Sequence, residues 1–185
     1  MVKIEFDERM MAKAKDGLKI APKKTIIAAM HAINRTITKS ASMISKETRA
    51  RYIVKASFVK KTLKKKRANT AHLAGEILST GKPLSLTAFK VTRPRRGPMK
   101  ARVLKKGKLK TIRGLYVNEK ARYKGVLMRK TSERYPVKSP FGPSIPTMIG
   151  NEEVLGRLAP QISAFMNQRF LHELDYQMGK FGGKS

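Results

Sequence analysis

The sequence predicts an α+β subunit, in which a long N-terminal helix packs on an antiparallel β-sheet and a C-terminal helix follows. Three observations predict it. Apolar residues recur at spacings of three and four from Pro22 to Arg51, short segments divided by glycine and proline begin near Ala71, and helical spacing returns after Asn151. Neighbouring strands without helical crossovers point to an antiparallel sheet, one face of which would cover the long helix.

Taken in order, Val2, Ile4 and Phe6 alternate with Lys3, Glu5 and Asp7, the pattern of a short half-buried strand. Residues 7–19 are compatible with a helix that Gly17 would stop. In the long helix Ile26, Met30, Ile33, Ile37, Ala41, Ile44 and Thr48 share one stripe, while Lys23, Lys24, Arg35, Lys39, Ser42 and Lys46 take the other face. Pro22 suits the first turn, and Glu47 and Arg51 form a favourable i,i+4 pair. At 1.5 Å per residue the helix would span roughly 40 Å, and one helix cannot bury its own stripe. Tyr52 and Ile53 break the pattern, which resumes weakly through Phe58, Val59 and Leu63.

Strands are expected at 72–79, 84–91, 99–104, 109–117 and 124–129, with turns at Gly81-Lys82-Pro83, Gly107-Lys108 and Asn118-Glu119. Residues 92–98 hold two prolines, a glycine and three arginines, so they should form an exposed loop. Pro136, Pro140, Pro143 and Pro146 require an extended path over 135–146, along which Tyr135 and Phe141 are expected to pack. Asn151 should cap a final helix with Glu152 and Glu153 in its first turn, and Pro160 should kink or restart it. Leu158, Ile162, Phe165, Phe170, Leu174 and Met178 supply its core stripe. Residues 1–178 then form one domain, and 179–185 a mobile tail.

With 185 residues and 41% hydrophobic content, the chain can build a core. Its charge is the unusual feature: 42 Lys and Arg against 12 Asp and Glu leave +30. From Arg49 to Arg113 there are 21 basic residues and one acid, Glu76, a net +20 in a third of the chain. Self-repulsion on that scale calls for a polyanion or an acidic protein surface, with nucleic acid the first candidate. There is no cysteine, which excludes disulfides, zinc clusters and thiol nucleophiles and fits a reducing cytosol. The longest apolar run, Thr25 to Ile33, is too short for a bilayer, and the acids in Met-Val-Lys-Ile-Glu-Phe-Asp are unlike a signal peptide.

Gly75 to Lys82 has five residues between its glycines and Pro83 where a phosphate loop needs a hydroxyl, so it reads as an ordinary loop. Gly142 to Pro146 lacks the second glycine of a nucleophile elbow. His31, His72 and His172 lie in three separate elements with no accompanying carboxylate pair, and neither a catalytic site nor a metal or other cofactor is expected. The basic residues Lys60, Lys61, Lys64, Lys65, Lys66 and Arg67, with Arg93, Arg95 and Arg96 on the loop, are expected to contact phosphate. Without a zinc finger, an aromatic-rich strand or a compact helix-turn-helix, that contact would be independent of base sequence.

A family likeness runs through the chain. Ala29-Met30-His31-Ala32-Ile33-Asn34-Arg35, then Ser40-Ala41-Ser42 and Lys46-Glu47-Thr48-Arg49, resembles the opening helix of the minor tail protein Z family of long-tailed phages. Arg129, Arg134-Tyr135-Pro136-Val137 and Gly142-Pro143-Ser144-Ile145-Pro146 are similar to the proline-rich signature of that family and of related tail-completion proteins, as is Glu173-Leu174. The likeness covers about 22–67 and 109–178, not 1–21 or 69–108. It implies a non-enzymatic ring subunit, commonly one of six, at the head-proximal end of the virion tail, assembled in the host cytoplasm. The implied partners are further copies of the chain, the tail terminator, the tape-measure protein and passing double-stranded DNA, with no membrane. Arg129 and Arg134 are then either sheet-edge charges or contacts to a neighbouring subunit. A nucleic-acid-binding protein of ribosomal or nucleoid type is the alternative, and an enzyme acting on a polyanion lacks any convergent acid, base or metal site.

Overall fold

The longest element, α1 (Pro22–Arg51), begins at the proline expected to start it. Residues 2–4, 16, 19, 21–118 and 125–179 are described by the computed structural model. The buried positions of α1 come as Thr25, then Ala28 and Ala29, Ala32 and Ile33, Thr36 and Ile37, Ser40 and Ala41, Ile44 and Ser45, and Thr48. That repeat is four residues, so the buried face advances about 40° per repeat around a helix of 3.6 residues per turn. Five members of the expected stripe are buried on it. Ile26 and Met30 are only half-buried, since near its start the stripe has moved onto the alanines. Thr36 satisfies its hydroxyl on the Ala32 carbonyl at 2.8 Å, whereas Ser40 Oγ and Thr48 Oγ1 are buried without a partner.

The chain divides into two compact units, each holding part of α1. The first comprises residues 1–44, 63–79 and 155–185. Its three-stranded antiparallel sheet has the order β1-β3-β2, from β1 (Val2–Ile4), β2 (Leu63–Lys66) and β3 (Gly75–Ser79). Gly75 meets α1 directly: a Cβ there would overlap Ile37 Cδ1 and lie 2.7 Å from Ile33 Cγ2, so only glycine admits this approach of strand to helix. The unit's buried apolar side chains include Ile33, Ile37 and Ile77 with Leu158, Ile162, Met166 and Phe170 from α4 (Glu152–Gly179), the C-terminal helix. Pro160 lies inside that helix without ending it. Of the expected helix over 7–19, Asp16 and Lys19 are helical and the rest lies outside the described residues, as do the side-chain burial of the first strand and residues 180–185.

The second unit comprises residues 45–62 and 80–154. The interruption at Tyr52 has a cause here. Ile53 N–H donates to the Val103 carbonyl and Lys105 N–H to the Arg51 carbonyl, both at 2.8 Å, so the helix ends by pairing with a distant segment. α2 (Ala56–Thr62) then buries Val59 and leaves Phe58 exposed. Instead of one five-stranded sheet, this unit carries three small ones: β5-β6-β7, β10-β9-β8 and β11-β4. Their strands are β4 (Pro83–Ser85), β5 (Lys90–Thr92), β6 (Lys100–Arg102), β7 (Lys110–Thr111), β8 (Leu115–Asn118), β9 (Gly125–Arg129), β10 (Val137–Lys138) and β11 (Phe141–Ser144). The expected strand 84–91 is cut by a 3-10 turn at Leu86–Ala88, and 109–117 by the turn at Gly114. Short polar strands broken by glycine and proline do not sustain a long ladder. The turn at Asn118-Glu119 runs into 119–124, outside the described residues.

The proline-rich block folds as a strand leading into α3 (Ile145–Ile149). Gly142 lies against the Phe89 ring, Ser144 caps α3 by accepting from Thr147 N–H at 3.3 Å, and Pro146 occupies its first turn. Tyr135 and Phe141 do not pack as expected; they are 67% and 63% exposed, because the extended path holds them at the surface. At the start of α4, the Asn151 side-chain oxygen is buried and unpaired, and it is the Asn151 backbone carbonyl that accepts from Val154 N–H at 3.0 Å.

Candidate nucleic-acid interface

From Lys90 to Arg113 the second unit has eleven Lys and Arg and no acid. The ladder arranges them. Lys90 pairs with Arg102 and Thr92 with Lys100, so alternation places Lys90, Lys100 and Arg102 on one face of the β5-β6-β7 sheet and Val91 and buried Ala101 on the other. Like charges directly across a ladder destabilise it, and a bound polyanion would relieve that cost. The β6–β7 connection adds Lys105, Lys106 and Lys108, all exposed, and Arg102 Nη1 donates to the Gly107 carbonyl of that connection at 3.3 Å. Arg93, Arg95 and Arg96 sit exposed on the β5–β6 hairpin loop, as the proline and glycine content of that loop requires.

The Lys60 to Arg67 group is not one feature. Lys60 and Lys61 end α2 in the second unit, whereas Lys64, Lys65 and Lys66 belong to β2 in the first. Strand alternation turns Lys65 away from Lys64 and Lys66, and Lys66 pairs with its cross-strand neighbour Glu76 at 3.1 Å. Lys90, Lys100, Arg102, Lys105, Lys106, Lys108 and Lys110 join the β5-β6-β7 sheet and its connections in addition to the cations expected from the sequence. Their signal was present in the alternation of cations with small or apolar residues around Gly107.

Arg129 on β9 lies over the Tyr116 ring at 5.6 Å, and Arg134 over the exposed Tyr135 ring at 5.7 Å. Both arginines are exposed, and each is stiffened by its aromatic neighbour. Arg51 donates to Glu153, and this carboxylate, then Tyr52, raises the Arg51 pKa above its ordinary value. Arg51 thus reaches a carboxylate 102 residues distant in the chain, a contact that its i,i+4 spacing from Glu47 does not announce.

Among the described residues of the first unit Glu173 is the buried carboxylate, and it receives Arg35 Nε at 2.8 Å and Arg169 Nη2 at 3.0 Å. The sequence carried a trace of this, since Glu173 follows Met166 and Phe170 at helical spacing on the buried stripe of α4. Asn34 clasps Ala68 twice, donating to its carbonyl at 3.0 Å and accepting from its N–H at 2.9 Å. His31, His72 and His172 are exposed on α1, a loop and α4. Among the described residues no group of three His, Cys, Asp or Glu could hold a metal ion, and no helix is long and apolar enough to cross a membrane.

A family model described as prophage minor tail protein Z matches residues 13–181, including the stretch 69–108 that carries the cationic sheet. No curated protein and no solved structure matches the chain.

Proposed function

Because this chain belongs to the prophage minor tail protein Z family and is therefore a phage minor tail protein, we propose that it is a tail-completion ring subunit that holds passing DNA by its phosphates. The ring would sit at the head-proximal end of the tail, against the terminator and the tape-measure protein. The observation that carries the DNA contact is the acid-free sheet β5-β6-β7, which gathers cations on one face and on its two connecting loops. Arg95, Arg96, Lys105, Lys106 and Lys108 are its exposed tips. Lysines and arginines on short strands and loops make phosphate contacts without reading bases, which suits a passage that must accept any sequence.

For ring closure, Arg129 and Arg134 are the proposed subunit contacts, joined by exposed Tyr135. Arginine stacked on tyrosine gives the rigid amphipathic anchors that subunit interfaces favour. Electron microscopy of the purified protein, paired with a salt titration of duplex binding, tests both parts. Rings are expected, with affinity falling by about 10³ to 10⁵ between 50 and 200 mM salt if six to ten phosphates are neutralised. A strict monomer with no salt-dependent DNA binding would overturn the proposal. Native complexes dispersed by nuclease would instead favour a nucleoid-type protein.

A further inference from the structure

A second basic feature lies in the first unit. The polar face of α1, Arg67, and Phe165 and Arg169 of α4 line a shallow, open groove of about 510 Å³. Its charged lining is Arg35, Lys39, Arg67 and Arg169. Glu173 lies behind two of them; four cations less one carboxylate leave a net +3. Thr38 and Ser42 add hydroxyls, and Phe165 supplies an apolar wall.

We propose that this groove docks an acidic polypeptide segment of a partner protein, one in which carboxylates alternate with apolar side chains. Composition argues for a polypeptide over DNA, because the aromatic Phe165 and the hydroxyls of Thr38 and Ser42 stand among the cations. The groove is also prearranged. Glu173, 3% exposed, holds Arg35 and Arg169 by one nitrogen each, which restricts the freedom of both guanidinium groups in the groove lining. The double Asn34 clasp on Ala68 holds the backbone next to Arg67. Guanidinium forks held this way match carboxylates in pairs, and the cost of ordering them is met during folding. An apolar wall beside the cations suits a segment carrying both side-chain types, and bare phosphate would leave Phe165 without a partner.

Arg67 thereby moves from the expected phosphate set to a protein contact. The assignment is independent of the ring and DNA readings.

The test uses the full chain, a fluorescein-labelled peptide of alternating glutamate and leucine, and a labelled short DNA duplex. Two double variants remove equal charge: Lys39→Gln with Arg67→Gln in the groove, and Lys64→Gln with Lys65→Gln outside it. All four side chains are exposed, so matched unfolding midpoints are expected. The groove pair should weaken peptide binding about tenfold, the upper end of what two exposed charge pairs supply. The outside pair should change it less than about twofold, although it removes the same charge. Ser42→Glu, a single change in the groove lining, should weaken the peptide in the same direction. Equal losses from both pairs, or no peptide binding by the unaltered protein, would overturn the assignment. So would groove variants that weaken the duplex and spare the peptide, since the groove would then be a phosphate site.

Discussion

Asn34→Ala is the perturbation with the most definite expected cost. The Asn34 amide makes both of its bonds to one residue, Ala68, whose 6% exposure leaves its backbone little access to water. Truncation removes the two bonds, at 3.0 and 2.9 Å, and strands a buried N–H and a buried carbonyl. A net hydrogen bond contributes about 1 kcal/mol and an unsatisfied buried group costs more, so a loss of about 2 to 3 kcal/mol is expected. For a chain of this size that is a fall in Tm of about 4 to 12 °C, measured by thermal unfolding followed by circular dichroism. Hydrogen exchange localises the effect. The Ala68 amide should lose protection in Asn34→Ala and keep it in Asn34→Asp, which retains an acceptor but no donor for the carbonyl. An Ala68 amide that exchanges at the same rate in Asn34→Ala and the unaltered protein would refute the reasoning.

Three further outcomes follow from single contacts. Gly75→Ala should cost about 1 to 3 kcal/mol by overpacking against Ile33 and Ile37. Adding Ile37→Val, which removes the overlapping Cδ1, should recover part of the loss in denaturant midpoint; an unchanged midpoint in Gly75→Ala would show that the strand stands further from the helix. Thr48→Val removes a buried hydroxyl that has no partner while keeping the branched shape, and should raise stability by up to about 1 kcal/mol in the same assay. Arg95→Gln with Arg96→Gln should lower the slope of log affinity for duplex DNA against log salt by about 2, with no change in unfolding midpoint. An unaltered slope would remove the hairpin loop from the DNA contact.

Local chemistry determined what the sequence could announce. Pro22 starts α1, and the prolines and glycine of 92–98 force an exposed loop, each through the residue's own backbone preference, whereas α3 was not expected from the extended path read over 135–146. The mixed α+β class was legible from the change of period near residue 71, and the lack of acids from Lys90 to Arg113 was visible as composition. What the tertiary structure decided depends on distant partners. Arg51 chose Glu153, Asn34 chose Ala68, and Glu173 drew Arg35 from α1 to join its own i,i+4 neighbour Arg169, long-range pairings that spacing along one helix gives little means to select. The same holds for the basic run over 60–67. Its charges are written consecutively, yet a helix ends and a strand begins within it, and the strand's period of two separates neighbours that the sequence joins. Residue identity set which groups carry charge; only the chain's return on itself set which of them share a surface.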